Sequence, residues 1–385
     1  MTFLPYGRQQ IDADDEKAVL EALRSDFLTT GPRVAEFEKA LSDVCNGAHA
    51  VACSNGTTAL HLALIAMGIG PGDAVIVPSL TFLATANAVR YCGADVVFAD
   101  CDPETGLMRV EDAKEALACA KGKNIKAISC VHLAGQMCDL KGLSELAKAH
   151  DILLLADGAH ALGSPYDGKA SGSCAYEDIT TFSFHPVKTI AMGEGGAVTT
   201  RHAEWAAKMK TLRSHGMVHT PDVGPWAYEM PDLGYNYRVP DILCALGVSQ
   251  MKKLSGFIKR RQEIAALYDE LLAPLAPLIQ TPVRANKEEP AWHLYALRID
   301  FEKIGITRAA FMNTLKANNI GSQVHYIPVH TQPYYRGLYG DLNLPGAQHY
   351  YKHTLSIPLY PSMSDEDVQY VAGIITAICQ KRIAA

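Results

Sequence analysis

The chain predicts an α/β fold: a large domain built on a mostly parallel seven-stranded sheet, then a smaller α+β domain. Two patterns predict it. Seven apolar runs, at 48–54, 74–79, 95–101, 125–132, 152–157, 179–185 and 196–200, recur with stretches of helical composition between most of them. Runs that are apolar throughout suit strands covered on both faces. After residue 200 the alternation gives way to a long Gly-, Pro-, Tyr- and His-rich loop at 214–240, a long helix and short mixed elements. The expected division is 1–250 for the large domain and 251–385 for the small one.

Taken in order, Asp12 caps a first helix in which Val19, Leu20 and Leu23 share a face. A second helix starts near Pro32 and presents Val34, Phe37, Leu41 and Val44. Helical stretches at 57–68, 110–121 and 141–150 separate the strands. The last two runs are joined by about ten residues, too few for a helical crossover, so one of them is expected to run antiparallel. A helix follows at 202–213, and a single long helix at 241–272 carries Leu243, Leu246, Ile258, Ile264 and Leu267.

Composition narrows the function. The chain has 385 residues, 48% hydrophobic and 20% charged, with net charge -6. The negative balance argues against binding nucleic acid by phosphate neutralisation. No run is long and charge-free enough to span a bilayer. The first residues lack the regions of a signal peptide, so a cytoplasmic protein is expected. Ten cysteines form no Cys-x-x-Cys pair and sit mostly in apolar runs, which reads as buried free thiols with no metal site.

Four segments carry chemistry. Lys188 lies on a turn between the last two strands, where a primary amine can attack a carbonyl. Ser183 precedes it, and His185 and Pro186 shape the turn. In Ser-Asn-Gly-Thr-Thr (54–58), Gly56 lets the backbone approach a ligand, and Thr57 and Thr58 offer N–H groups and hydroxyls to a phosphate at a helix start. Asp157 ends an apolar strand, where parallel sheets place their ligands, and His160 follows it, either as a hydrogen-bond partner of a cofactor phenolate or as a buried, satisfied histidine. A carboxylate there suits either a pyridinium N–H⁺ or a helix cap. Phe82 follows the second strand and can stack on a flat ring. Taken singly, each segment also has a purely structural reading.

Together they resemble the DegT/DnrJ/StrS sugar-nucleotide aminotransferases over nearly the whole length. The segments are Phe-Leu-Thr-Thr-Gly-Pro (27–32), Ser-Asn-Gly-Thr-Thr-Ala-Leu (54–60), Phe-Leu-Ala-Thr-Ala-Asn (82–87), Asp-Gly-Ala-His-Ala-Leu-Gly (157–163), Phe-Ser-Phe-His-Pro-Val-Lys (182–188), Gly-Glu-Gly-Gly (193–196) and Gly-Tyr-Asn-Tyr-Arg (234–238). The resemblance implies the type I fold of pyridoxal phosphate (PLP) enzymes, the aspartate-aminotransferase-like fold. It implies Lys188 as the residue that bonds PLP and Asp157 as partner of the pyridine nitrogen. It implies Phe82 and Ala159 on the two ring faces, and Thr57, Thr58 and Ser183 on the phosphate. Asn236 matches a phosphate ligand donated by the neighbouring subunit, which implies a homodimer with shared active sites. His185, His215, Tyr235, Arg238 and His325 are candidates for contacts with the sugar, its diphosphate or the amino donor.

The implied reaction is transamination of a 4-keto-6-deoxy sugar nucleotide, with glutamate giving the amine and leaving as 2-oxoglutarate. Three further segments, Arg-Ser-His-Gly-Met (213–217), Leu-Gly-Val-Ser-Gln-Met-Lys-Lys (246–253) and Gln-Val-His-Tyr-Ile-Pro-Val-His (323–330), are similar to the branch that serves pseudaminic acid synthesis on UDP-linked sugars. Alternatives are amination of another dTDP-, GDP- or UDP-ketosugar at C3 or C4, a PLP-dependent dehydratase, and a non-catalytic regulatory homologue. Dehydratases of this kind carry histidine where Lys188 stands, so transamination is favoured.

Overall fold

The computed structural model describes residues 2–383. A seven-stranded sheet forms its centre. Strands β1 (His49–Cys53), β2 (Asp73–Pro78), β3 (Asp95–Ala99), β4 (Asn124–Val131) and β5 (Leu153–Asp157) come first. A two-residue-per-arm hairpin, β6 (Pro165–Tyr166) and β7 (Lys169–Ala170), precedes β8 (Ile179–Ser183) and β9 (Gly196–Thr200). The order across the sheet is β1-β9-β8-β5-β4-β2-β3. Only β9 runs against its neighbours, pairing antiparallel with both β1 and β8. All seven expected strands form, including the one antiparallel member, because the twelve-residue connection from β8 to β9 holds no helix that would carry the chain back.

Helices cover both faces. They are α1 (Ala13–Leu23), α2 (Pro32–Val44), α3 (Gly56–Ala66), α4 (Leu83–Tyr91), α5 (Val110–Cys119), α6 (Leu140–Ala149) and α7 (Ala203–Leu212). The central helix α3 is apolar nearly all round, and Ala59 through Leu64 are buried. It packs against β8 and β9, which places its N-terminus over their ends.

Two expectations change. Asp12 does cap α1, accepting from the Asp14 and Asp15 N–H groups. However, Leu20 and Leu23 are 48% and 49% exposed, while Asp15 and Ala22 are buried. The inward face is polar: Asp15 accepts from Gln250 Nε2 at 2.7 Å and pairs with Lys253 Nζ at 2.8 Å. That pairing also sits where the expected single long helix breaks. It divides into α8 (Asp241–Met251) and α9 (Leu254–Leu272), with Lys253 anchored to Asp12 and Asp15.

In the loop at 214–240, β10 (Val218–His219) and β11 (Tyr228–Glu229) form a short exposed hairpin. Beyond α9, strands β12 (Ile279–Gln280), β13 (Tyr295–Ile299) and β14 (Thr354–Ile357) make an antiparallel sheet. It shares a core with α9 and the helix Asp365–Ile383, built around Trp292, Tyr295, Phe311 and Leu355. Leu4, from the opposite end of the chain, packs in the same core and bridges to Ile320. The segment 323–327 returns from here to the edge of the large sheet, and Val329 N–H donates to Ser79 O at 2.8 Å. Among the described residues no helix is long and apolar enough to cross a membrane.

Candidate active site

A cavity of about 790 Å³ opens where the ends of β5 and β8, the N-termini of α3 and α4, the turn after β8 and the segment 323–327 meet. Ligands of parallel sheets bind at this end of the strands. Gly56, Thr57, Thr58, Phe82, Asp157, Ala159, His160, Ser183, His185, Lys188 and His325, all expected from sequence, line it.

Asp157 is only 6% exposed. Its Oδ2 accepts from Thr85 Oγ1 at 2.8 Å and its Oδ1 from the Ala159 N–H at 3.1 Å. Neither donor is charged, so no cationic protein group among the described residues hydrogen-bonds to this carboxylate. Lys188 sits within its electrostatic reach. Burial pulls the Lys188 ammonium down to about 8, with the Asp157 charge opposing the shift. An amine so placed is uncharged in a useful fraction near neutral pH, as a nucleophile must be.

The strand-to-helix turn forms a cradle. Asn55 caps α3 by accepting from Thr58 N–H at 2.9 Å, and Thr58 Oγ1 donates back to Asn55 O at 2.8 Å. Both Thr58 donors are engaged in the cap. The N–H groups of Gly56 and Thr57 and the hydroxyls of Thr57 and Ser183 donate to no protein group among the described residues. The cradle is tight: a Cβ on Gly56 would lie 2.8 Å from Ser183 Cβ, and one on Gly196 would lie 2.1 Å from Asn55 O.

Four candidates lie outside the cavity. His215, Tyr235, Asn236 and Arg238 sit where the loop at 214–240 returns to α3. Tyr235 stacks on Tyr237 at 4.7 Å and meets His61 at 5.1 Å. Ser54 N–H donates to Tyr237 O at 2.9 Å, which ties the segment behind the cradle. Asn236 itself faces outward and is exposed.

Residues 9–376 match the family model of the DegT/DnrJ/EryC1/StrS aminotransferases. The chain belongs to this family. It is 42% identical over 384 residues to the spore coat polysaccharide biosynthesis protein SpsC of Bacillus subtilis, covering 98% of this chain and 97% of that protein. Helicobacter pylori PseC, an aminotransferase of pseudaminic acid biosynthesis, superposes with a TM-score of 0.91 at 31% identity, covering 99% of this chain and all of that one. The PLP form of a sugar aminotransferase, Spr1654 from Streptococcus pneumoniae, superposes at 0.89 with 30% identity, covering 99% of each chain. The chain is thus a PLP-dependent sugar aminotransferase with the type I fold.

The cavity fits the cofactor of the family. A buried carboxylate without a cationic protein partner suits a protonated ring nitrogen. Thr181 Oγ1, one strand over from Asp157, is buried, lines the cavity and lacks a protein partner among the described residues. Phe82 is 56% exposed and stands on the cavity wall, the position of a stacking group rather than of core.

His160 makes two hydrogen bonds within the protein. His160 Nδ1 accepts from the Ala134 N–H at 3.2 Å, and its Nε2 lies 3.1 Å from Tyr326 Oη. Sequence reasoning missed Thr85 and Tyr326. Thr85 lies in the quoted 82–87 segment, one helical turn from Thr81, whose Oγ1 is 2.8 Å away. Tyr326 comes from far along the chain, and no local pattern marks it. Sequence reasoning also left Cys130, His132 and Cys138 apart, whereas the fold gathers them in a buried cluster behind β4. His132 Nδ1 there accepts from the Cys138 N–H at 3.2 Å.

Proposed function

We propose that this aminotransferase delivers an amino group from glutamate to C4 of a UDP-linked 4-keto-6-deoxy sugar, in a pathway of the pseudaminic acid type. The pairing of Lys188 with Asp157 in one cavity carries the reading of the site. Likeness to PseC, together with the three segments at 213–217, 246–253 and 323–330, supports the choice of sugar. The cavity volume accommodates a cofactor and a sugar ring, with the nucleotide extending outward.

When bound, PLP supplies an aldehyde that condenses with amines and a ring that takes up the electron pair left by proton removal. The chain supplies the rest. Lys188 would bond the cofactor and, as a free amine, would move the proton at the reacting carbon. Asp157 keeps the ring nitrogen protonated, held in place by Thr85 and the Ala159 N–H. Phe82 and Ala159 bracket the ring. Gly56, Thr57 and Ser183 hold the phosphate at the positive end of α3. His185 and His325 face the sugar side of the cavity. Asn236 of a second copy completes the phosphate site in a homodimer, and His215, Tyr235 and Arg238 act from that same copy. Residues 1–250 form the PLP-binding domain and 251–385 the small domain, and the enzyme works in the cytoplasm.

Likeness to SpsC favours a second reading, a ketosugar destined for another surface polysaccharide. Assay of the purified enzyme against 4-keto and 3-keto sugars linked to UDP, dTDP and GDP separates the two. Glutamate-dependent turnover of the UDP-4-keto-6-deoxy sugar well above the others is expected. Turnover confined to a dTDP, GDP or 3-keto sugar overturns the first reading.

A further inference from the structure

Alternation along β4 turns Val131 toward the cavity and Cys130 to the opposite face of the sheet, into the apolar core that holds Ile128, Leu133 and Met137. His132, one residue past the strand, and Cys138, just ahead of α6, close on the same spot. Cys130 and His132 are 0% exposed and Cys138 1%. One ligating atom of each lies within 4.8 Å of those of the other two. The spacing hides this in the sequence, because Cys-x-His-x-x-x-x-x-Cys matches no common zinc pattern.

The Cys138 thiol donates to Val131 O at 3.2 Å, and the Cys138 N–H donates to His132 Nδ1 at 3.2 Å. His132 Nε2 has no partner among the described residues. Packing alone accounts for a buried thiol, which behaves as a small apolar group. It does not account for an enclosed imidazole left with an unpaired nitrogen beside two thiols.

We propose that Cys130, His132 and Cys138 bind a thiophilic divalent metal ion, with Zn²⁺ the best chemical match to two sulfurs and one imidazole. As the ion binds, each thiol releases its proton. The result is two thiolates, one neutral imidazole and one dication, an assembly with no net charge, which suits an apolar core. The imidazole gives up at most the hydrogen bond from the Cys138 N–H, and that N–H can then donate to a thiolate sulfur. A disulfide between the two cysteines would leave the imidazole idle. Because all three groups are enclosed, the ion enters as the chain folds. It then ties the end of β4 to the segment ahead of α6. His132 N–H donates to Asp157 O at 3.1 Å, so the ion braces the strand end behind the cavity and takes no part in the reaction. The site does not depend on where the cofactor lies.

The test starts from enzyme produced in defined medium with Co²⁺ as the added metal, in a Cys119→Ser background that removes the exposed thiol. After gel filtration, about one Co²⁺ per chain is expected. Its red d–d bands, clear of the PLP absorption, should show thiolate ligation. Cys130→Ala and Cys138→Ala are each expected to lower the Co²⁺ content at least about tenfold. A native visible PLP band verifies the fold of each variant. X-ray absorption of the Zn²⁺ form needs no variant at the site, and should give two sulfurs at about 2.3 Å and a nitrogen at about 2.0–2.1 Å. Less than about a tenth of an ion per chain, undiminished Co²⁺ in both variants, or a metal shell without sulfur overturns the inference. So does a Cys130–Cys138 disulfide found by peptide mass in enzyme purified without reductant.

Discussion

At the scale of single residues, the chemistry turns on how two facing groups of the cavity, buried Asp157 and half-buried Lys188, are left incomplete. Among the described residues, Asp157 receives only neutral donors and Lys188 has no carboxylate in direct contact. Each is costly in the protein alone, and a ring with a cationic nitrogen and an aldehyde relieves both. The Lys188 shift has a measurable consequence before any substrate is added. An ordinary lysine near 10.5 is uncharged to about one part in 10³ at pH 7 or somewhat above. Lowered to about 8, Lys188 gains a far larger uncharged fraction, which grows with pH and saturates above that value. The rate at which cofactor-free enzyme develops its visible band on adding PLP should rise about tenfold per pH unit from 6 to 7, and level off above about 8. Stopped-flow mixing across pH 6–10 measures this. A rate still climbing steeply between 9 and 10 contradicts a depressed amine.

At the scale of elements, the site depends on how closely β8 and β9 pass beneath the first turn of α3. Gly196 is the tightest point, since an added methyl group would stand 2.1 Å from the Asn55 carbonyl oxygen. Gly196→Ala must push Asn55 away and disturb the cap that Asn55 and Thr58 build. A loss of about 2 kcal/mol or more in denaturant unfolding is expected, from overpacking and a weakened cap combined. Faster loss of PLP on dialysis is expected with it. Native stability with native cofactor retention contradicts this account of the cradle.

The same elements show what was legible in the sequence. The seven strands were, because strands covered on both faces are written as unbroken apolar runs. The gathering of Lys188, Asp157, Phe82 and the cradle around one cavity was, because each sits near a strand end or helix start with a local signature. The α8–α9 break was not, since its cause is a contact between Lys253 and residues some 240 positions earlier. Leu20 and Leu23 misled for a related reason: an apolar stripe tells that a face is apolar, not which surface covers it. Tyr326 and its support by His160 and His293 are likewise products of long-range assembly.

At the scale of the molecule, the surface carries more exposed apolar side chain than a solitary chain needs. Phe27 and Leu28 continue the uncovered stripe of Leu20 and Leu23 on α1. Val223, Trp226, Met230 and Leu233 protrude from the segment containing the β10–β11 hairpin, with Trp226 76% exposed. Patches of this kind mark association surfaces. The second runs directly into Asn236, the exposed residue proposed to reach a neighbouring cradle. If each site takes Lys188 from one copy and Asn236 from the other, inactivity in one copy is curable by a different defect in its partner. Lys188→Ala lacks the amine, and Asn236→Asp sets a carboxylate against the phosphate, so each homodimer alone should be nearly inactive. Unfolded, mixed and refolded together, they form hybrids in which one site collects both defects and the other collects neither. Random pairing places an intact site in half of the dimers, so about a quarter of native activity is expected to return. If both residues of a site come from a single copy, every hybrid site bears a defect and mixing restores nothing. Recovery therefore reports shared sites directly, and its absence, with hybrids verified by mass, rejects them.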